Sequence, residues 1–303
     1  WLVNTVLPCR QARRGGACRM TQIVGNYITY GQAARIKSVS YQVVVWATLL
    51  VLMAPIAWVI IGSLSGLDAL LAGDLARIFG SLTLQPMRDV FFASNFLTYY
   101  KNSLVVAAGV VVFTVVASTL AGYGLTRVQF RGKKWLARFI LFGYMFPPLL
   151  LSIPMYQIWS ELGLLNSLLG LILAESSVPL PFGIWTMWLF FQTVPIDYEE
   201  SVWMVGGSRW HSFKDIALPQ AAPGMVAVGI FAFQSSWNNY TYPKVLIAED
   251  TLRPLTTGLT QYAVQNYVFW NQVMAVVFTM VIPAFLLVYF LQKYLLEGYK
   301  ATA

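Results

Sequence analysis

Six stretches of nearly unbroken apolar residues run along the chain, near 41–63, 103–123, 138–158, 171–194, 222–242 and 271–292. Each reaches about 20 residues, the length an α-helix needs to cross roughly 30 Å of hydrocarbon. The pattern predicts an all-α membrane protein with six transmembrane helices. Polar stretches separate the runs. The longest, 64–100, reads as partly helical and amphipathic through Leu70, Leu71, Leu75, Ile78 and Phe79. It either touches an outside partner or covers the membrane surface. The stretch 195–223 is a charged island between two strongly apolar runs.

The third run carries Pro147, Pro148 and Pro154, and the fourth Pro179 and Pro181. Proline removes a backbone donor and kinks a helix. A bilayer tolerates this where neighbours or a watery cavity satisfy the freed carbonyls. Gly109, Gly122 and Gly124 are expected to let helices approach closely.

Only 11% of the 303 residues are charged and 58% are hydrophobic, whereas a soluble domain carries about 25% charged residues. The net charge of +8 is unevenly placed. With the N-terminus inside, 15 of the 20 Lys and Arg fall on the cytoplasmic side, and only Arg77, Arg88, Lys101, Lys244 and Arg253 lie outside. That bias predicts an N-in, C-in topology, so the basic charge reflects orientation and implies no nucleic-acid partner. Residues 1–40 then form a cytoplasmic segment, 41–297 the six-span domain with its cytoplasmic loop 195–223, and 298–303 a cytoplasmic tail. Residues 1–19 read as foreign to the rest, with Met20 the expected start. The two cysteines, Cys9 and Cys18, both lie there and support neither a disulfide framework nor a metal site.

No G-x-x-x-x-G-K-[ST] loop is present. His211 is the single histidine, which excludes histidine-rich metal sites and Ser-His-Asp triads. Glu175 is the one acidic residue that stands out inside a span, too few for a proton relay. The chain therefore acts passively or takes its energy from a partner. No catalytic constellation is visible, so an enzyme is not expected.

Within the island, Asp197 and Glu200 have the spacing of a capping box at a helix start. A short helix is expected to about Val205. Gly206-Gly207 then signals a stop and turn. Ser208 can cap a second helix, on which Trp210, Phe213, Ile216 and Ala217 share an apolar face until Pro219 ends it. Such a hairpin either docks to something in the water or rests on lipid headgroups.

The island resembles the cytoplasmic coupling motif of ABC-importer permeases, E-A-A, then G, then I-x-L-P. Glu200 matches the leading Glu, Gly206 the Gly, Ile216 the Ile and Leu218-Pro219 the Leu-Pro, with Pro223 and Phe213 at further common positions. Ser201-Val202, Val205 and Gly207 depart from the usual Ala-Ala, Asp and Ala. The carbohydrate (maltose-type) subfamily's W-N-x-x-x-x-P element matches Trp237, Asn238 and Pro243. Its L-T-x-G-L element matches Leu255, Thr256, Gly258 and Leu259, and its tail pattern Gln292, Lys293, Tyr294 and Gly298. Asn102-Ser103, Ala121-Gly122-Tyr123 and Arg127 also look like this family. The resemblance covers about 40–300, and the tail departs at Tyr299-Lys300-Ala301.

The resemblance implies a type I ABC-importer permease in a bacterial inner membrane. It implies a second homologous permease, an ABC ATPase dimer, and an external solute-binding protein that delivers an oligosaccharide. No cofactor or metal is bound by this chain; ATP and Mg are used by the partners. The implied ATPase-docking residues are Glu200, Gly206, Gly207, Ser208, Trp210, Phe213, Leu218 and Pro219, with Trp210 and Phe213 as apolar anchors. The implied binding-protein contacts are Arg253, Thr256, Thr257 and Gln261. Sugars bind through aromatic faces and amide or carboxylate hydrogen bonds. Trp237, Asn238, Asn239, Tyr240 and Glu175 are therefore candidate pathway residues, or else helix-interface glue. The outside Arg and Lys favour an acidic oligosaccharide. Two alternatives stay open: a permease for a non-sugar solute, and a stand-alone secondary carrier.

Overall fold

The computed structural model describes residues 30–93, 95–264 and 267–300, with side chains for 39–92, 95–260, 262 and 268–291. Cys9, Cys18 and the expected start at Met20 lie outside the described residues, as do the side chains of the tail pattern. The chain divides into two units, 1–54 and 55–303. In the first, every described residue is helical and belongs to α1 (Tyr30–Ser63), where Trp46, Leu50 and Val51 are exposed. A helix apolar all round suits lipid.

The second unit takes in the end of α1 and then three short helices, α2 (Leu67–Ala72), α3 (Leu75–Gly80) and α4 (Gln85–Ala93). The segment is partly helical as expected, but of Leu70, Leu71, Leu75, Ile78 and Phe79 only Ile78 is buried, while Leu71, Leu75 and Phe79 are exposed. Then follow α5 (Phe96–Arg127), α6 (Lys133–Phe142), α7 (Pro148–Glu161), α8 (Leu168–Ser176) and α9 (Pro179–Thr193). The charged island gives α10 (Asp197–Met204), α11 (Arg209–Ser212), a π-turn over Phe213–Ala217 and α12 (Leu218–Gln220). The chain continues through α13 (Ala222–Trp237), α14 (Thr241–Leu246), α15 (Leu255–Gly258) and α16 (Trp270–Lys300). One short antiparallel ladder, β1 (Ala263–Val264) with β2 (Tyr267–Val268), interrupts the helices.

Among the described residues, three helical stretches are long and apolar enough to cross a bilayer unbroken: Val39–Ser63, Phe96–Arg127 and Trp270–Leu291. Three more are helix pairs bent at a short break, α6 with α7 by 94°, α8 with α9 by 51°, and α11–α12 with α13 by 69°. Counting each pair once gives six. Prolines mark the breaks. Pro147 and Pro148 open α7, and Pro179 opens α9. Two expected boundaries change. The run at 138–158 is no straight helix, because it turns through nearly a right angle before Pro147. The run at 222–242 ends early: α13 stops at Trp237, and Asn238, Asn239 and Tyr240 form a link to α14.

The core is α5, α9 and α13 packed together. At one end Met187, Phe191, Phe213, Ala217 and Val228 interlock. At the other, Val106, Val110, Leu171, Ala174, Ala232 and Tyr242 do so. Gly122 is what lets α5 meet α9. A Cβ there would lie 2.7 Å from Met187 Cβ and 2.8 Å from Trp188 N. Gly109 has the same relation to Ile172, whose Cδ1 would lie 2.5 Å from such a Cβ. Gly124, expected to join them, faces open space.

This contrast gives a paired test. Gly122→Val forces backbone apart and should cost about 3 kcal/mol, which lowers the melting midpoint of the purified protein in detergent. Gly124→Ala should leave it unchanged or slightly higher. Equal midpoints for both variants would contradict the packing described.

Candidate functional site

The hairpin over 197–220 is built by local rules. Gly206 takes φ +86°, the left-handed region. Its N–H donates to Trp203 O at 3.0 Å, and the Gly207 N–H donates to Val202 O at 2.9 Å. These two bonds make the Schellman ending of α10. Gly207 is equally constrained, since a Cβ would sit 2.8 Å from Val202 O. Ser208 caps α11 as expected: its Oγ accepts from His211 N at 3.3 Å and lies 2.8 Å from His211 Nδ1. Pro219 has no N–H for the carbonyl of Asp215. Just before it the backbone slips into i→i−5 bonding, with Leu218 N–H donating to Phe213 O. The expected capping box is absent: Ile196 is the N-cap of α10, Asp197 is its first residue, and no side chain caps the helix. Glu200 is exposed.

The residue that anchors the hairpin is Glu199, which lies beside the motif position Glu200 and matches no motif itself. Its carboxylate is fully buried. Oε1 accepts from Arg127 Nε at 2.7 Å and Nη2 at 2.6 Å, and Oε2 accepts from Tyr123 OH at 2.7 Å. Arg127 Nη2 also donates to Val194 O at 3.0 Å, at the end of α9. Three segments therefore meet at one ion pair: the last turns of α5, the end of α9, and α10. Burial without these partners would cost several kcal/mol.

Aromatic packing extends the junction. The Tyr123 ring lies 4.6 Å from Phe213 and 5.4 Å from Phe191. Phe213, expected as an outward anchor, is only 6% exposed and is turned into the body. The outward apolar face is instead Met204, Val205 and Trp210, at 87%, 85% and 62% exposure. Trp203 Nε1 donates to Ser212 Oγ at 2.9 Å and braces α10 against α11. Leu218 is half-buried and Pro219 exposed.

At the opposite end of α5 the candidate pathway residues separate. Trp237 is buried, donates from Nε1 to Met280 O at 3.0 Å, and stacks on Phe233 at 5.3 Å. Trp237 and Asn238 line one groove of about 660 Å³ between α13 and α16, together with Phe233, Gln234 and Met280. Asn239 instead binds the first turn of α14, its Oδ1 accepting from Tyr242 N at 3.3 Å. Tyr240 is exposed. Glu175 is not part of the groove: it is buried in α8 and accepts a hydrogen bond from Ser236.

The expected binding-protein contacts are likewise mixed. Arg253 is held internally, Nη1 on Asp250 Oδ1 at 2.9 Å and Nη2 on Ala248 O at 3.1 Å. Asp250 also accepts from Tyr99 OH at 2.8 Å and Asn95 Nδ2 at 3.1 Å. Asn102 Nδ2 donates to Thr251 O and Arg253 O, and Ser103 Oγ accepts from Leu255 N. Thr256 donates to Asn239 O at 2.7 Å. Thr257 is buried and donates to Pro254 O at 3.0 Å, so it offers no surface to a partner. The side chain of Gln261 lies outside the described residues. No cluster of metal-binding side chains occurs among the described residues.

Comparison with known proteins adds a family. The model for "binding-protein-dependent transport system inner membrane component" matches residues 114–300. The diacetylchitobiose uptake system permease protein NgcG of Streptomyces coelicolor is 27% identical over 81% of each chain. The trehalose/maltose transport system permease protein MalG of Thermococcus litoralis is 26% identical over 84% of this chain and 92% of its own. A chain in the crystal structure of a bacterial ABC transporter involved in the import of the acidic polysaccharide alginate superposes with a TM-score of 0.73. It covers 88% of this chain and 98% of its own, at 22% identity, a likeness of fold.

Because Glu199 is buried and Arg127 is 14% exposed beside it, removing either leaves a poorly solvated charge without its partner. Glu199→Ala and Arg127→Ala should each destabilise by about 3 kcal/mol. The double variant should lose clearly less than the sum. Denaturation midpoints in detergent read this out; additive losses would contradict a direct pair.

Proposed function

The chain belongs to the family of binding-protein-dependent transport system inner membrane components, and on that premise we propose that it is the permease subunit of an ATP-driven importer for an oligosaccharide. The hairpin carries the reading: it is rigidly tied to the spans through Glu199, yet presents Met204, Val205 and Trp210 outward. Those exposed apolar side chains suit the centre of a protein interface. The chain has no nucleotide-binding loop of its own, so the occupant is an ATPase subunit, with Glu200 and Ser208 at the rim of the contact. A second permease and an outside solute-binding protein complete the complex. The hairpin then lies in the cytoplasm, in keeping with N-in, C-in topology.

The sugar class is supported by the relatives, which serve diacetylchitobiose uptake and trehalose/maltose transport. Trp237 and Asn238 at the α13–α16 groove have matching chemistry, an aromatic ring and an amide. Of the outside cations, Arg253 is paired with Asp250 and Arg77 with Asp74, which leaves Arg88, Lys101 and Lys244 for an acidic sugar.

In this mechanism ATP-driven closure of the ATPase pair displaces the hairpin. Glu199 transmits the displacement to Arg127 and Tyr123 on α5, and α12 transmits it to α13. The α5–α9–α13 body tilts as a unit and changes which side the groove faces. The ATPase uses ATP and Mg; this chain supplies no catalytic group.

The test is uptake in proteoliposomes by the complex that co-purifies with the tagged chain, using a panel of neutral and acidic oligosaccharides with an amino-acid control. ATP-dependent uptake of an oligosaccharide supports the proposal. Solute movement by the chain alone without ATP would overturn it. Within that assay, Gly206→Asp should insert normally but lower solute moved per ATP by at least about tenfold, because the left-handed turn is strained for a non-glycine residue. Normal transport by that variant would remove the hairpin from the mechanism.

A further inference from the structure

The turn from α5 into α6 holds cations that no acidic side chain among the described residues pairs with. Arg131, Lys134 and Arg138 are exposed, and among the described residues none of the three forms an ion pair. No Asp or Glu occurs between Asp89 and Glu161. Lys133, by contrast, folds back on α5 and donates to Thr126 O at 3.3 Å and Gln129 Oε1 at 3.2 Å. α6 starts after Gly132 with no side-chain cap and no acidic residue in its first turn. Two lysines thus sit at the positive end of a helix dipole, where an anion is favoured.

An aromatic row runs beside the cations. Trp135, Phe139 and Phe142, spaced i, i+4 and i+7, are 73%, 73% and 52% exposed, while Ala137 is buried. The Arg138 guanidinium lies 5.6 Å above the Trp135 ring. Aromatic rings at the hydrocarbon edge with basic heads beside them match the phosphate level of a lipid leaflet.

We propose that Arg131, Lys134 and Arg138, together with Trp135 and Phe139, form a binding surface for the phosphate headgroups of anionic phospholipid. The surface follows directly after Arg127, so bound lipid steadies the turn from which the Glu199 clamp projects. It stands independently of the transported solute.

The whole purified complex in neutral detergent is titrated with phosphatidylglycerol, and separately with phosphatidylcholine and inorganic phosphate. Retained lipid is counted by native mass spectrometry, with the melting midpoint in parallel. Phosphatidylglycerol is retained and raises the midpoint; the other two do neither. The triple variant Arg131→Gln/Lys134→Gln/Arg138→Gln holds phosphatidylglycerol on the order of 100-fold more weakly at low salt, each basic residue contributing roughly a factor of five. Trp135→Ala/Phe139→Ala also weakens retention although it removes no charge, and the control Arg88→Gln does not. Unchanged retention by the triple variant overturns the proposal. An equal midpoint shift with inorganic phosphate overturns it in favour of a soluble-anion site. Loss of a co-purifying subunit with lipid retention intact overturns it in favour of a protein contact.

Discussion

The carboxylate of Glu199 has no access to water, and this constraint organises one end of the molecule. A buried carboxylate is tolerable only with its hydrogen bonds complete. Completing them requires the Arg127 guanidinium and the Tyr123 hydroxyl, both from α5. The same guanidinium binds the carbonyl of Val194, so the end of α9 is drawn in as well. The hairpin is thus attached by a stiff, directional contact, where an apolar contact alone would let it slide. That stiffness is what a force-transmitting element needs.

The far end is ordered by different means. There the segment from Ala248 to Gly258 is pinned on several sides. Asn166 Oδ1 accepts from Ala248 N and Glu249 N, and Asn102 and Ser103 bind the backbone beyond. Gly258 lies against the Tyr99 ring, where a Cβ would come within 2.3 Å of a ring carbon. The long helix α5 therefore carries polar fixings at both ends and apolar packing between them. Bends at Pro147–Pro148, Pro179 and Ala221 fit the shorter helices around it.

The spans were legible because a bilayer demands long apolar runs, a requirement visible one residue at a time. The hairpin turn was legible because Gly206-Gly207 and Ser208 act through their nearest neighbours. Glu199 was not legible in the same way: its partner Arg127 lies 72 residues earlier. The one local signal was its place on the same face of α10 as Val202 and Trp203, both partly buried. The inward turn of Phe213 is hidden for a related reason, since helical periodicity identifies an apolar face without saying what covers it. The early end of α13 at Trp237 was hidden because Asn238 terminates the helix without a proline or glycine. Thr257 and Arg253 looked like surface groups, but their partners, Pro254 and Asp250, are ones that composition does not single out.

The central claim is that force passes from the hairpin to the spans through Glu199. The most direct measurement is a double-variant cycle in the reconstituted complex, reading solute transported per ATP hydrolysed. Arg127→Lys and Glu199→Gln keep much of the local packing while weakening the contact. The account predicts that each lowers transport per ATP while hydrolysis continues, and that the double variant is little worse than either alone. Transport per ATP equal to wild type in the single variants would contradict it.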